Sequence, residues 1–385
     1  MGILITACSD DVQPVQGGSY IKFIGGARNE TAAAIVPTAD GGFVIAGGSS
    51  SVREGEDKDF FVAKVDAFGD GIWSQHLGGI GDDEALDVKE NGDRIFVLGY
   101  TTGIEVDSTD FLLYELAPDG ALSDSVVLGK PDRSEKGTSI NFTPEGNLLL
   151  AGNILNEEDG FDMQLFRLNA NKETERDVNV GYAFSTDTLR LIEQIEEDRF
   201  LWYGTLKPTN AELPSDIRVA ITDAFGNTIN DIFFGSENDF NEIAGGIVQA
   251  EDGKYVIAGT QEAAGSTDIY VAKATLSTMV TTPDWVRTIE LPEIQRGANI
   301  ASTNDGGYII VGTTTVSNNN EDIILVKIDS EGNLQWTKNY GGLNRDIGRF
   351  VRQTPDGGYL ILGDVFFGNN YVMGVIKTDS QGNIN

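Results

Sequence analysis

Short apolar runs alternate along the whole chain with clusters of Asp, Asn, Gly and Pro, and no window sustains the 3.6-residue apolar spacing of an amphipathic helix. One run type recurs: a turn, then four or five apolar residues closing on glycine. It is found at Phe43 to Gly47, Ile95 to Gly99, Leu148 to Gly152, Phe200 to Gly204, Tyr255 to Gly259, Tyr308 to Gly312 and Tyr359 to Gly363, with closing glycines 51 to 55 residues apart. Seven units of near-constant length are the signature of a repeat architecture.

Each unit divides into four β-type segments. Ile347 to Thr354 reads as a first strand, Pro355 to Gly358 as a tight turn and Tyr359 to Gly363 as a second strand. Asp322 to Asp329 reads as a third strand, Ser330 to Asn333 as a turn and Leu334 to Tyr340 as a fourth. β-branched and aromatic residues fill the segments, and residues that tolerate turn geometry separate them. Four strands per unit and seven units predict an all-β, seven-bladed β-propeller over residues 18–385. The last unit lacks a fourth strand, whereas Tyr20 to Gly26 aligns with Trp336 to Gly342 and has no first three strands before it. The N-terminal segment is therefore expected to supply the outer strand of the last blade and hide the edges an open array would leave.

The run from Asp322 to Gly342, followed by Asp356 to Tyr359, resembles the repeat of secreted bacterial β-propeller lipoproteins common in Bacteroidota. Residues 1–17 carry a second resemblance: Leu4-Ile5-Thr6-Ala7-Cys8 is similar to a lipobox, and Ser9-Asp10-Asp11 resembles an acidic surface-export tag. Together these imply a signal remnant and tether lipidated at Cys8, the only cysteine in the chain. They also imply an outer-membrane lipoprotein facing the cell exterior, attached to the membrane by lipid alone.

Charge narrows the choice of partner. With 27 Lys and Arg against 60 Asp and Glu, the net charge is −33, which repels phosphate backbones and argues against nucleic acid. One His and one Cys leave little for a metal site or triad built on those residues. The expected partner is an outer-membrane protein or an extracellular glycan or protein ligand.

Periodic residues supply the candidates. Trp73, Trp285 and Trp336 share one outer-strand position and read as inter-blade packing, with Trp202 inside a second strand. Asp59, Asp110, Asp162, Asp216, Asp268 and Asp322 open third strands, with Asn370 near the seventh equivalent, and read as turn caps. Small residues in the first strands (Ala32, Ala85, Gly137, Ala244, Gly297 and Gly348, with Leu189 the exception) fit crowding near an axis. Two residues before each stand Glu30, Asp83, Glu135, Asp187, Glu242, Gln295 and Asp346. These seven are expected to ring one mouth of the central channel. They would bond backbone amides of neighbouring blades, or else converge on a hard cation such as calcium, which needs several oxygens. Arg28, Arg133, Arg296 and Arg345 lie beside them and could neutralise the ring or hold an acidic ligand.

Two kinds of connection, second to third strand and outer to next first strand, are long and variable, and emerge on the side of the acidic ring. The reading that follows is a non-catalytic surface binding or scaffold propeller without a cofactor. The alternative is a carboxylate-based polysaccharide hydrolase working at the channel mouth.

Overall fold

The architecture follows from how each repeat satisfies its own backbone. In a computed structural model, residues 18–26, 29–50, 57–102, 108–130, 132–157, 160–210, 212–235, 240–276, 283–317 and 320–384 are described. Among these there is no helix, and the strands form seven four-stranded antiparallel sheets. Blades one to six span 30–77, 83–128, 135–180, 185–234, 241–289 and 295–340, each a simple meander from a first, inner strand to a fourth, outer one. Blade seven takes its first three strands from 347–378 and its outer strand from Tyr20–Ile24, which pairs antiparallel with Asn370–Thr378 in the register Tyr20 to Lys377. The expected closure by the N-terminal strand is what the ring uses.

The tight turns are built on aspartates other than the periodic third-strand set, which instead faces the crossover glycines Gly78, Gly129, Gly181, Gly235 and Gly341. Between third and fourth strands, one oxygen of Asp66, Asp223 and Asp329 accepts the amides two and four residues ahead. That arrangement leaves the residue before the last in the left-handed region, so Gly69, Gly226 and Gly332 have φ of 76°, 81° and 79°. The same glycines serve packing between blades. A Cβ on Gly332 would lie 2.8 Å from the ring of Trp285, and one on Gly120 would lie 2.7 Å from that of Trp73. Each outer-strand Trp thus seats on a turn of the next blade, and Tyr20 fills the Trp position in blade seven, packed against Gly69.

Between first and second strands a second device recurs. Lys64, Lys273, Lys327 and Lys377, on third strands, are nearly buried and reach the turn carboxylates of Asp40, Asp252, Asp305 and Asp356 at 2.5–3.0 Å. Apolar burial then welds blade to blade: among the described residues the core is seven clusters, each drawn from two neighbouring blades. Trp202 is wholly buried in the cluster between blades three and four, with its indole N–H on the Thr222 hydroxyl at 2.9 Å. First strands of adjacent blades touch around the complete circuit, so they surround a central channel.

Candidate functional site

The seven periodic residues Glu30, Asp83, Glu135, Asp187, Glu242, Gln295 and Asp346 stand where each first strand begins, and none is more than 2% exposed. Four of them accept the amide of a residue four or five positions upstream, in the crossover from the previous blade: Asp83 from Gly79 (2.5 Å), Glu135 from Lys130 (2.8 Å), Asp187 from Tyr182 (3.1 Å) and Asp346 from Gly342 (2.9 Å). Glu30 takes the Ser49 hydroxyl at 3.2 Å and Glu242 the Gln261 amide at 2.8 Å, while Gln295 donates to the Glu293 carbonyl. Behind the acids lie the third-strand aspartates. At Gly341, where the outer strand of blade six has just ended, a Cβ would fall 2.3 Å from Asp322 and 2.8 Å from Asp346, so only glycine lets the two carboxyls sit this close. Burial pushes the pKa values of Asp322 and Asp346 up, and the charge of Asp346 pushes Asp322 further. Glu135, Asp187, Asp110 and Asp216 are raised for the same first reason, loss of hydration.

The acids thus sit out of phase with the channel. Side chains alternate across a strand, and the residue after each acid is the accessible one: Thr31, Glu84, Lys136, Thr188, Ile243, Arg296 and Ile347. These meet around the mouth. Thr31 and Tyr100 both donate to the Glu84 carboxylate, at 3.0 and 2.9 Å, and the Lys136 ammonium lies 4.2 Å over the Tyr100 ring.

Arg28 and Cys8 lie outside the described residues. Arg133 donates to the Leu155 carbonyl (3.2 Å) and Glu157 (3.1 Å), and Arg296 and Arg345 both reach Glu321, Arg296 at 3.2 Å. Their acidic partners are therefore Glu157 and Glu321 and not the buried seven. Among the described residues no group of three or more His, Cys, Asp or Glu is placed to hold a metal ion. His76 packs beside the Phe61 ring at 4.9 Å, and burial lowers its pKa.

Two features are absent from the sequence reading. The residue after the closing glycine latches the next blade: Asn153, Thr205, Thr260, Thr313 and Asp364 accept the amides of Leu189, Ala244, Gly297, Gly348 and Ala32 at 2.6–3.3 Å. A short hydrogen-bonding side chain at that position in five of seven units is the signal that could have found them. The other is Arg218, 1% exposed, which bonds Asp187 at 2.9 Å and Asp231 at 3.0 and 2.8 Å beneath the Tyr182 ring. It occurs in blade four alone, so periodicity does not reveal it.

The two faces of the disc differ. An open apolar cavity of about 200 Å³ lies on the long-connection side between blades six and seven, lined by Phe23, Tyr340, Val365, Phe366 and Phe367, with Phe23 and Phe367 stacked at 4.9 Å. The outer strand Tyr20–Ile24 runs towards this side. Its start lies on the opposite, tight-turn face, where Tyr20 donates to the Ala67 carbonyl (3.4 Å) and Lys22 pairs with Asp70 (2.5 Å).

Residues 303–334 match a domain of unknown function, DUF5122, described as a beta-propeller. No curated protein matches the sequence. Among solved structures, Drosophila Semaphorin 2a is 10% identical with a TM-score of 0.55, over 95% of this chain and 75% of that one. A puromycin hydrolase mutant complexed with PGG is 12% identical with a TM-score of 0.52, over 88% of this chain and 50% of that one. A protein of unknown function from Dyadobacter fermentans is 9% identical with a TM-score of 0.51, over 93% and 97%. Identities this low speak to fold and not to ligands. By fold the chain is a seven-bladed β-propeller, and the stretch of its sixth blade from 303 to 334 is similar to the DUF5122 propeller repeat.

Proposed function

We propose that the protein is a non-catalytic binding or scaffold propeller of the cell surface, tethered to an outer membrane by lipid at Cys8. Its long-connection face would meet an outer-membrane protein or an extracellular ligand. The observation that carries this reading is the direction of the strand Tyr20–Ile24: a tether leading into Tyr20 arrives on the tight-turn face, so the face with the apolar cavity is turned away from the anchor. Rigid blades carrying variable connections over an open apolar cavity suit recognition. The hydrolase alternative needs a carboxylate pair open to solvent, and the periodic acids are buried.

The test has two parts. Cys8→Ser should move the protein from membranes to the soluble fraction. In intact cells carrying the lipidated chain, an impermeant maleimide should label Leu343→Cys, at the 92% exposed Leu343 of the long-connection face, faster than Glu145→Cys on the tight-turn face. Membrane retention of Cys8→Ser after a high-salt wash would count against the anchor, and equal labelling would count against the orientation.

A further inference from the structure

The first strands form a closed circuit, and each carries a bulge one residue past its small residue. The bulged residue has no partner across its sheet. Its side chain is free to run along the inner rim: Thr138 donates to the Leu189 carbonyl of blade four at 3.3 Å, and Arg190 Nε donates to the Ala244 carbonyl of blade five at 3.2 Å. Leu86, Ala33, Gly245 and Ala298 are bulges without a polar side chain. A Cβ on Gly245 would already lie 2.8 Å from the Gly297 carbonyl, so the wall is tight there. Two bulges are arginines, Arg190 in blade four and Arg349 in blade seven.

These two differ in how they are compensated. Arg349 donates through Nε and another guanidinium nitrogen to one oxygen of Asp364, at 3.0 and 2.7 Å, while the other oxygen holds the Ala32 amide at 2.6 Å. Arg190 has no acid. Beyond its Nε bond, Nη1 and Nη2 have no hydrogen-bond or ion-pair partner among the described residues. The residue is exposed, yet loss of hydration lowers its pKa and the nearby Arg349 lowers it further. Accessible surface together with strong desolvation describes a side chain in a narrow wet lumen. The rest of the lumen has the same sign. Lys136 and Arg296 lie at the accessible mouth position, and Lys89 and Arg352 at the next inward position beyond the bulge, against Glu84 and Glu193. Against these six cations stand Glu84, Asp87 and Glu193, together with Asp364 paired to Arg349, in a chain of net charge −33.

We propose that the central channel is an anion-binding site, in which the free Nη1–Nη2 edge of Arg190 takes a carboxylate or phosphate group that Arg349 attracts from the other side of the lumen. Two parallel N–H donors match two oxygens of such a group, a fit that lysine cannot reproduce. The bound charge also offsets the repulsion that the charge of Arg349 exerts on the poorly hydrated Arg190 guanidinium. The site is independent of the anchor and of the long-connection face, so it stands or falls separately from the surface-binding reading.

Thermal melts of the purified full chain, with sodium phosphate or sodium acetate replacing chloride at constant ionic strength, test this directly. A ligand that binds only the folded state raises the melting temperature as its concentration grows. The expected result is a dose-dependent rise that is lost in Arg190→Met and kept in Arg133→Met, whose side chain lies outside the channel. A response to phosphate alone assigns the site to phosphate groups, and a response to acetate as well assigns it to carboxylates. No rise with either ion, or an equal rise in Arg190→Met, overturns the proposal. Should Arg190→Met fail to fold, Arg190→Lys keeps the charge and loses the paired donors, and undiminished binding in it overturns the bidentate assignment. Selenate soaked into crystals should give an anomalous peak at the Arg190 guanidinium, and a peak only elsewhere refutes the site.

Discussion

Replacing Arg218 by methionine isolates a buried cluster in which one cation holds two acids. The guanidinium is 1% exposed and holds the wholly buried Asp187 at 2.9 Å and Asp231 at 2.8 Å. Methionine matches much of its length and leaves Asp187 to the Ser185 hydroxyl and the Tyr182 amide. Removing one member of a buried ion pair costs about 3–5 kcal/mol, because the orphaned charge keeps its desolvation penalty. At about 2.1 cal/mol/K per residue, a 385-residue chain melts with an entropy near 0.8 kcal/mol/K, so the melting temperature at pH 8 should drop by about 4–6 °C. The loss should also depend on pH. Burial already raises the Asp187 pKa against the opposing pull of Arg218, and without Arg218 it rises further. A carboxyl with a raised folded pKa contributes stability that is fully present below its unfolded value, near 4, and lost as pH climbs through the folded value. The deficit of Arg218→Met relative to wild type should therefore shrink between pH 8 and pH 5. Adding Asp187→Asn should recover part of it at pH 8. Calorimetric melts across this range decide the matter: a deficit below about 1 kcal/mol, or one unchanged with pH, would refute the reasoning.

Turn and packing demands on glycine can be separated. Gly382 (φ 73°) and Gly357 (φ 83°) both need the left-handed region, but a Cβ on Gly382 would lie 3.0 Å from Trp336, whereas one on Gly357 meets nothing within 4 Å. Gly357→Ala should cost about 1–2 kcal/mol from backbone strain alone, and Gly382→Ala measurably more in urea melts. Equal costs would show that the tryptophan does not seat on the turn. On the acid side, the Lys64 ammonium at 2.5 Å holds Asp40 down at about 2. Its stabilising contribution is present above the ordinary carboxylate pKa and is lost as pH falls through about 2. An NMR titration of the Asp40 carboxyl should show that midpoint and a higher one in Lys64→Met, where the Thr38 hydroxyl and the Gly42 amide remain, and the same midpoint in both would remove Lys64 as the main cause.

Blade number, strand count, the tight turns and closure by Tyr20–Ile24 were legible in the sequence because each rests on local chemistry repeated seven times. Turn residues and two-residue alternation act over a few positions, and repetition averages away the weak units. The outer-strand Trp position was legible for the same reason, down to Tyr20 as its stand-in in blade seven. The periodic acids were legible as a set, but their direction was not. Each is one residue out of phase with the channel, and only the packing of first strand against crossover shows that the acid turns in and its successor turns out. The interactions that distinguish this molecule from an ideal repeat were not legible at all. Asp364 holds the Ala32 amide from 332 residues away, Arg218 gathers two acids within one blade, and Arg190 and Arg349 come near each other because a ring of seven places blades four and seven across one axis. Local propensity determines what a blade is. Which side chains from different blades meet, and which of them are stripped of water, is set by the curvature of the closed ring.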